Sequence, residues 1–228
     1  MKLYIDSANF GDWKLPEGCP PLQGVTTNPS LILAQGLPVS LETYLTLIER
    51  AGHSRIPEIM LQAPRPDAYE FASWLDRLLP GAAKSGVRMV IKAPCHPDWA
   101  SIFKIVREAS VPLLLTGLSN PLQLMWAESL GADYVAPYIG RIAEAGRDPW
   151  PLLKACIRAQ EAGTRLLAAS VRDSDTLSRL LALGSHAVTL RPEFILNHAE
   201  DDLTHSAIRK FSEDTEASLQ LEIPADRS

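Results

Sequence analysis

Cysteine is scarce in this chain of 228 residues: three in all, at Cys19, Cys95 and Cys156, standing far apart. An odd, sparse set excludes a disulfide framework and points to a reducing compartment. CxxC and HExxH patterns are missing, and the five histidines show no metal-ligand spacing, so neither a metal nor another cofactor is expected. No apolar stretch reaches the roughly 18 residues that a membrane span calls for. The strand-like run Lys2-Leu3-Tyr4-Ile5-Asp6 begins at once, which leaves no signal peptide to expect and makes the cytoplasm the expected location. Basic stretches with interleaved aromatics are also missing and the formal charge is −5, so nucleic acid is not an expected partner.

What the chain does have is apolar residues, 46% of the total, in a strongly periodic arrangement. Eight strand-like runs occur, at 3–7, 24–27, 58–62, 88–92, 112–116, 133–138, 165–170 and 187–190. Between them lie amphipathic stretches at 41–51, 68–79, 99–109, 122–130, 151–162 and 176–183, with a weaker one at 10–15 and a short eighth. Ser40, and Asp173 or Ser174, stand where helices begin. Gly52, Gly86, Gly131, Gly163 and Gly184 stand where helices end, as left-handed caps do. Met89-Val90-Ile91 and Leu113-Leu114-Leu115 are apolar throughout, as parallel strands covered on both faces are. Eight βα units with right-handed connections predict a single-domain (β/α)8 TIM barrel spanning 1–228; an open doubly wound sheet is the runner-up. A further helix-like stretch at 206–217, within a C-terminal segment 204–220, is expected to cap the barrel or dock on a neighbouring subunit. Residues 223–228 read as frayed.

Barrels carry chemistry at the C-terminal ends of their strands. Reading those ends gives Asp6, then Thr26-Thr27-Asn28, then Lys92, Thr116, Tyr138 with Arg141 after it, and Ser170 with Arg172 after it. Lys92 is the most informative. Lysine inside an apolar strand is rarely buried without a partner, and desolvation leaves a neutral amine able to attack a carbonyl. The alternative is a lysine that reaches solvent or pairs with Asp6 or Glu58. Asp6 and Glu58 are candidate proton handlers, against the bland roles of a turn residue and an exposed residue at a strand entrance. Alternation puts Glu58, Met60 and Gln62 on one face and does not fix which polar member reaches the site. Arg141, Arg172 and Ser170 suit a phosphate dianion, against two ordinary surface arginines. Thr26 and Asn28 could hold hydroxyls, or merely form a polar turn. Cys95 and His96 are adjacent and do not make a nucleophile and base; Gly117-Leu118-Ser119-Asn120 lacks the second glycine of a nucleophile elbow.

Five stretches taken in order resemble the transaldolase family, and in size its small branch that includes fructose-6-phosphate aldolase. They are Leu3-Tyr4-Ile5-Asp6-Ser7, Gly24-Val25-Thr26-Thr27-Asn28-Pro29-Ser30, Val90-Ile91-Lys92-Ala93-Pro94, the run from Tyr134 to Ile142, and Ala168-Ala169-Ser170-Val171-Arg172. The resemblance implies an iminium at Lys92 and acid/base work at Asp6. It implies a water held by Glu58 with help from Thr116, donor hydroxyls held by Thr26 and Asn28, and a sugar phosphate held by Arg141, Arg172 and Ser170. It also implies sugar phosphates as partners, a homo-oligomer (pentamer or decamer) and a place in carbohydrate metabolism such as the pentose phosphate pathway. Tyr138 stands where typical transaldolases carry Phe, and Leu114 where they carry Asn; both are features of the aldolase branch. Glu58 is transaldolase-like, since the aldolase branch carries Gln at the corresponding place. The expectation is therefore transfer of a dihydroxyacetone unit from a ketose phosphate to an aldose phosphate, with fructose-6-phosphate aldolase as the alternative. An inert sugar-phosphate-binding barrel is a third.

Overall fold

The computed structural model describes residues 1–199 and 201–221; the 223–228 stretch expected to fray lies outside them. Eight parallel strands close into a barrel in sequence order: β1 (Lys2–Asp6), β2 (Gly24–Thr26), β3 (Glu58–Gln62), β4 (Arg88–Pro94), β5 (Leu113–Leu118), β6 (Tyr134–Pro137), β7 (Arg165–Ala168) and β8 (Ala187–Leu190). The closure settles the choice between barrel and open sheet, because β8 pairs with β1 through Lys2 to Ile5. Helices α1 (Pro29–Ala34) and α2 (Leu41–His53) follow β2, α3 (Ala68–Ser85) follows β3, and α4 (Ala100–Glu108) follows β4. Next come α5 (Pro121–Ser129) after β5, α6 (Ile139–Glu144) and α7 (Trp150–Ala159) after β6, and α8 (Ser174–Ala182) after β7. The β1–β2 connection carries only the short 3-10 turn Phe10–Trp13.

Residues 1–192 make one compact unit, which contains the whole barrel. A second unit starts at Glu193 and holds most of α9 (Pro192–Ala199) and all of α10 (Asp202–Leu219), the helix expected at the C-terminus. On α10, Leu203, Ile208, Phe211 and Leu219 are exposed.

Helix ends follow the local chemistry. Ser40 caps α2 and Asp173 caps α8, each accepting a backbone N–H three residues on. Gly86, Gly131, Gly163 and Gly184 adopt left-handed φ at or just beyond helix ends, as expected. Gly52 does not: it lies inside α2, and a side chain there would collide with the Ser85 backbone at 2.6 Å, so its role is close approach of α2 to α3. The left-handed turn after α2 falls on Arg55 instead. α3 runs through Pro80, past the expected end at 79, and stops at Gly86. An interior proline costs about 3 kcal/mol or more, yet Leu78 and Ala82 on either side of it are buried, so packing outweighs the lost hydrogen bond. α1 and α6, at six residues each, are too short to show a periodic signature.

Side chains alternate along each strand, and the inward set forms layers. Tyr4, Met60, Val90, Leu114, Tyr134, Leu167 and Ala187 pack together as the closed floor of the barrel. Two residues further along, the inward positions turn polar on β1, β3, β4, β5 and β8 (Asp6, Gln62, Lys92, Thr116 and Thr189) and stay small along β6 and just past β7 (Ala136 and Ala169).

Candidate active site

Above that floor lies a cavity of about 480 Å³ whose lining includes Asp6, Thr26, Asn28, Gln62, Lys92, Thr116, Tyr138, Arg141, Ser170 and Arg172. Nine of the ten residues expected to form a site are therefore brought together. They come from the C-terminal halves of six strands or the loops after them, which is why positions scattered over most of the sequence converge.

Lys92 sits within β4, since that strand runs on to Pro94. It is buried, with 7% exposure, and its Nζ donates to the Thr27 carbonyl oxygen at 2.7 Å. Burial drives its pKa below the ordinary lysine value, and the negative charge of Asp6 works in the opposite direction. A lysine in this setting gives up its proton more readily than one in water, which is what attack on a carbonyl calls for. Among the described residues, neither escape to solvent nor a direct ion pair holds it.

Asp6 ends β1. Its Oδ1 accepts from Thr26 Oγ1 at 2.7 Å, and Thr26 Oγ1 is 2.6 Å from Thr189 Oγ1. The Thr26 hydroxyl on β2 thus fixes the carboxylate and is itself held by the Thr189 hydroxyl on β8, leaving Oδ2 toward Arg191 at 3.9 Å. Asn28 caps α1, its Oδ1 accepting from the Leu31 N–H at 3.1 Å. The polar turn and the cavity wall are therefore the same residue, and its amide NH2 group is the part left for a ligand.

Glu58 is the exception. It opens β3 at the opposite end of the barrel, buried beside the floor, where Tyr4 donates to its Oε1 at 2.8 Å and Arg88 pairs with Oε2. The register gives the physical reason. Glu58 lies opposite Arg88, and Gln62 lies opposite Lys92. Four residues of strand separate Glu58 from Gln62, about 13 Å at ~3.3 Å each, so only one can share the lysine's level. That one is Gln62. Its Oε1 is shielded from solvent and accepts no hydrogen bond from the protein among the described residues, a buried acceptor suited to a water or substrate donor.

The phosphate candidates differ in their freedom. The Arg141 guanidinium lies over the Tyr138 ring, 4.6 Å from its centre. Arg172 pairs with Glu144 of α6 and also borders a second, smaller hollow. Ser170 holds a left-handed φ of 61°, an uncommon state for serine. Gly140 makes this possible: a side chain there would meet Arg172 Nε and Ser170 Oγ at 2.8 Å. Thr189, and Arg191 just beyond β8, line the cavity without having been picked out from the sequence. Period-two alternation along β8 carries the signal for both, since Ala187 is a floor residue.

Cys95 forms no nucleophile pair. Burial pushes its thiol up to about 11, and the His96 ring meets Asp98 at 3.3 Å instead. Among the described residues no group of three His, Cys, Asp or Glu gathers as a metal site does, and no helix is long and apolar enough to cross a membrane.

A probable transaldolase of Anaeromyxobacter sp. (strain Fw109-5) is 29% identical over 223 residues, covering 95% of this chain and 98% of the relative. A probable transaldolase of Bacillus cereus (strain ZK / E33L) is 28% identical over 229 residues, covering 96% and 100%. Among solved structures, a flavocytochrome b2 superposes with a TM-score of 0.57 at 15% identity; the match covers 85% of this chain and 57% of that one, and likeness at that level speaks for the barrel alone. Residues 66–227, well over half of the chain, match the pattern of the family described as Transaldolase/Fructose-6-phosphate aldolase. This chain belongs to the transaldolase/fructose-6-phosphate aldolase family.

Proposed function

We propose that the protein is a Schiff-base aldolase that joins or separates dihydroxyacetone and an aldose phosphate, with fructose 6-phosphate as the type substrate. The observation that carries this choice is the pairing of Gln62, rather than Glu58, with Lys92. Gln at this place, Tyr138 and Leu114 are all aldolase-branch features, so the one position that spoke for transfer changes sides.

The residues would act as follows. The neutral Lys92 amine adds to the C2 carbonyl, and loss of water gives a protonated imine. Asp6 takes the proton of the C4 hydroxyl as the C3–C4 bond breaks and the aldehyde leaves. The bonding electrons go to the imine nitrogen, so the product is a neutral enamine. Protonation at C3 and addition of water then free dihydroxyacetone and restore the amine. Gln62, Thr116 and Tyr138 would hold that water; Thr26 and Asn28 would hold the donor hydroxyls; Arg141, Arg172 and Ser170 would hold the phosphate. A glutamine cannot act as a base, so the water is positioned rather than activated by β3.

Transfer to an acceptor aldose phosphate is the second reading, and the names of the relatives favour it. Incubation with fructose 6-phosphate, with and without erythrose 4-phosphate, separates the two. Aldolase chemistry releases dihydroxyacetone without acceptor. Product formed solely when acceptor is added sinks it.

In the same proposal the protein works in the cytoplasm as a homo-oligomer. The exposed Leu203, Ile208, Phe211 and Leu219 of α10 are the apolar surface offered to a second copy. Light scattering that gives a monomer's mass contradicts this.

A further inference from the structure

Arg191 stands just beyond β8, lines the active-site cavity and has no role in the chemistry given above. Its Nε lies 3.9 Å from Asp6 Oδ2, at the outer limit of an ion pair, and its side chain is 62% exposed. The other two arginines of the mouth are engaged more closely, Arg141 on the Tyr138 ring and Arg172 with Glu144. Arg191 is thus the cation with the weakest existing commitment.

Its position relative to Asp6 decides what it can reach. In the proposed cleavage Asp6 takes the proton from the C4 hydroxyl. The phosphorus of a hexose 6-phosphate lies four bonds from C4, a span of about 5 Å at ~1.5 Å per bond along a zigzag. A guanidinium beside Asp6 therefore has the phosphate within range whenever the hydroxyl is in place. Arg141 follows β6, Arg172 follows β7 and Arg191 follows β8, so the three form a continuous arc around one side of the mouth. In a chain of net charge −5 such an arc supplies the local positive field that an anionic substrate requires.

The geometry points to Arg191 as a specificity-determining residue that binds the phosphomonoester of the aldehyde half of the substrate. This rests on the aldolase proposal for its substrate class, and the test keeps the two apart. Glycerol 3-phosphate, which has the phosphomonoester and no carbonyl, is titrated calorimetrically into the full-length protein, Arg191→Ala and Arg191→Lys, with glycerol as control. Binding about tenfold weaker in Arg191→Ala and partly restored in Arg191→Lys is expected, the loss of one charge-assisted contact. Unchanged affinity overturns the assignment. In parallel, with dihydroxyacetone as donor, the ratio of kcat/KM for glyceraldehyde 3-phosphate to that for glyceraldehyde falls about tenfold in Arg191→Ala. An equal fall on both aldehydes also overturns it, because Arg191 would then act through Asp6. If the unaltered protein joins dihydroxyacetone to neither aldehyde, aldolase chemistry fails, and the glycerol 3-phosphate titration still decides for or against Arg191.

Discussion

Gln62 and Lys92 stand opposite one another across the β3–β4 ladder, at the level where the barrel interior changes from apolar floor to polar cavity. Glu58 stands opposite Arg88 at the other end of the same two strands. One strand therefore carries both amide and carboxylate, and the register assigns them to different tasks.

Exchanging those tasks by mutation separates them. Glu58→Gln should lower stability by about 1–3 kcal/mol, since it removes the charge that Arg88 and Tyr4 share. Arg88 is nearly half exposed, which keeps the loss below the ~3–5 kcal/mol of a fully buried pair. Adduct formation at Lys92 should survive. Gln62→Ala should do the reverse, lowering kcat about tenfold or more with little change in thermal midpoint. Denaturation curves and steady-state kinetics on both variants check this; loss of chemistry in Glu58→Gln at unchanged stability would restore that residue to the site.

Arg172→Ala should chiefly raise KM for phosphorylated substrates, because it removes contact with a group remote from the breaking bond. Kinetics on a phosphorylated and an unphosphorylated donor provide the readout. An equal loss on both contradicts the phosphate assignment.

Lys92 also makes a prediction about stability. Its pKa is lowered in the folded protein, so between that value and the ordinary 10.5 the unfolded chain binds more protons and stability rises with pH. Lys92→Met removes this dependence. The variant's advantage should be greatest at low and neutral pH and shrink as pH climbs toward 10.5. Urea unfolding of both proteins across that range measures it, and an advantage that grows with pH contradicts a destabilised ammonium.

The floor sets the depth of the cavity. Leu114 is fully buried there, so Leu114→Ala should cost about 2–5 kcal/mol. A calorimetric midpoint indistinguishable from the parent's would show that the floor collapses without penalty.

The barrel and most of the cavity lining are legible in the sequence because both rest on local patterns. Period-two strands, capped amphipathic helices and a polar residue at each strand's C-terminal end need no knowledge of which strand touches which. β3 shows where that stops. Alternation puts Glu58, Met60 and Gln62 on one face and the C-terminal rule points to Gln62, but the family resemblance draws Glu58 into the site instead, and the register with β4 corrects it. Arg191 escaped for a related reason: its neighbour Asp6 is 185 residues away along the chain and beside it solely because β8 closes onto β1. α1 and α6 escaped because six residues are too few for a helical period to declare itself.

The amine of Lys92 is the hinge of the proposed chemistry, and it can be interrogated directly. Borohydride reduction in the presence of dihydroxyacetone, followed by peptide mass mapping, should place one stable adduct on Lys92, and none should form in Lys92→Met. An adduct on a different lysine, or no adduct with the donor in excess, contradicts the account.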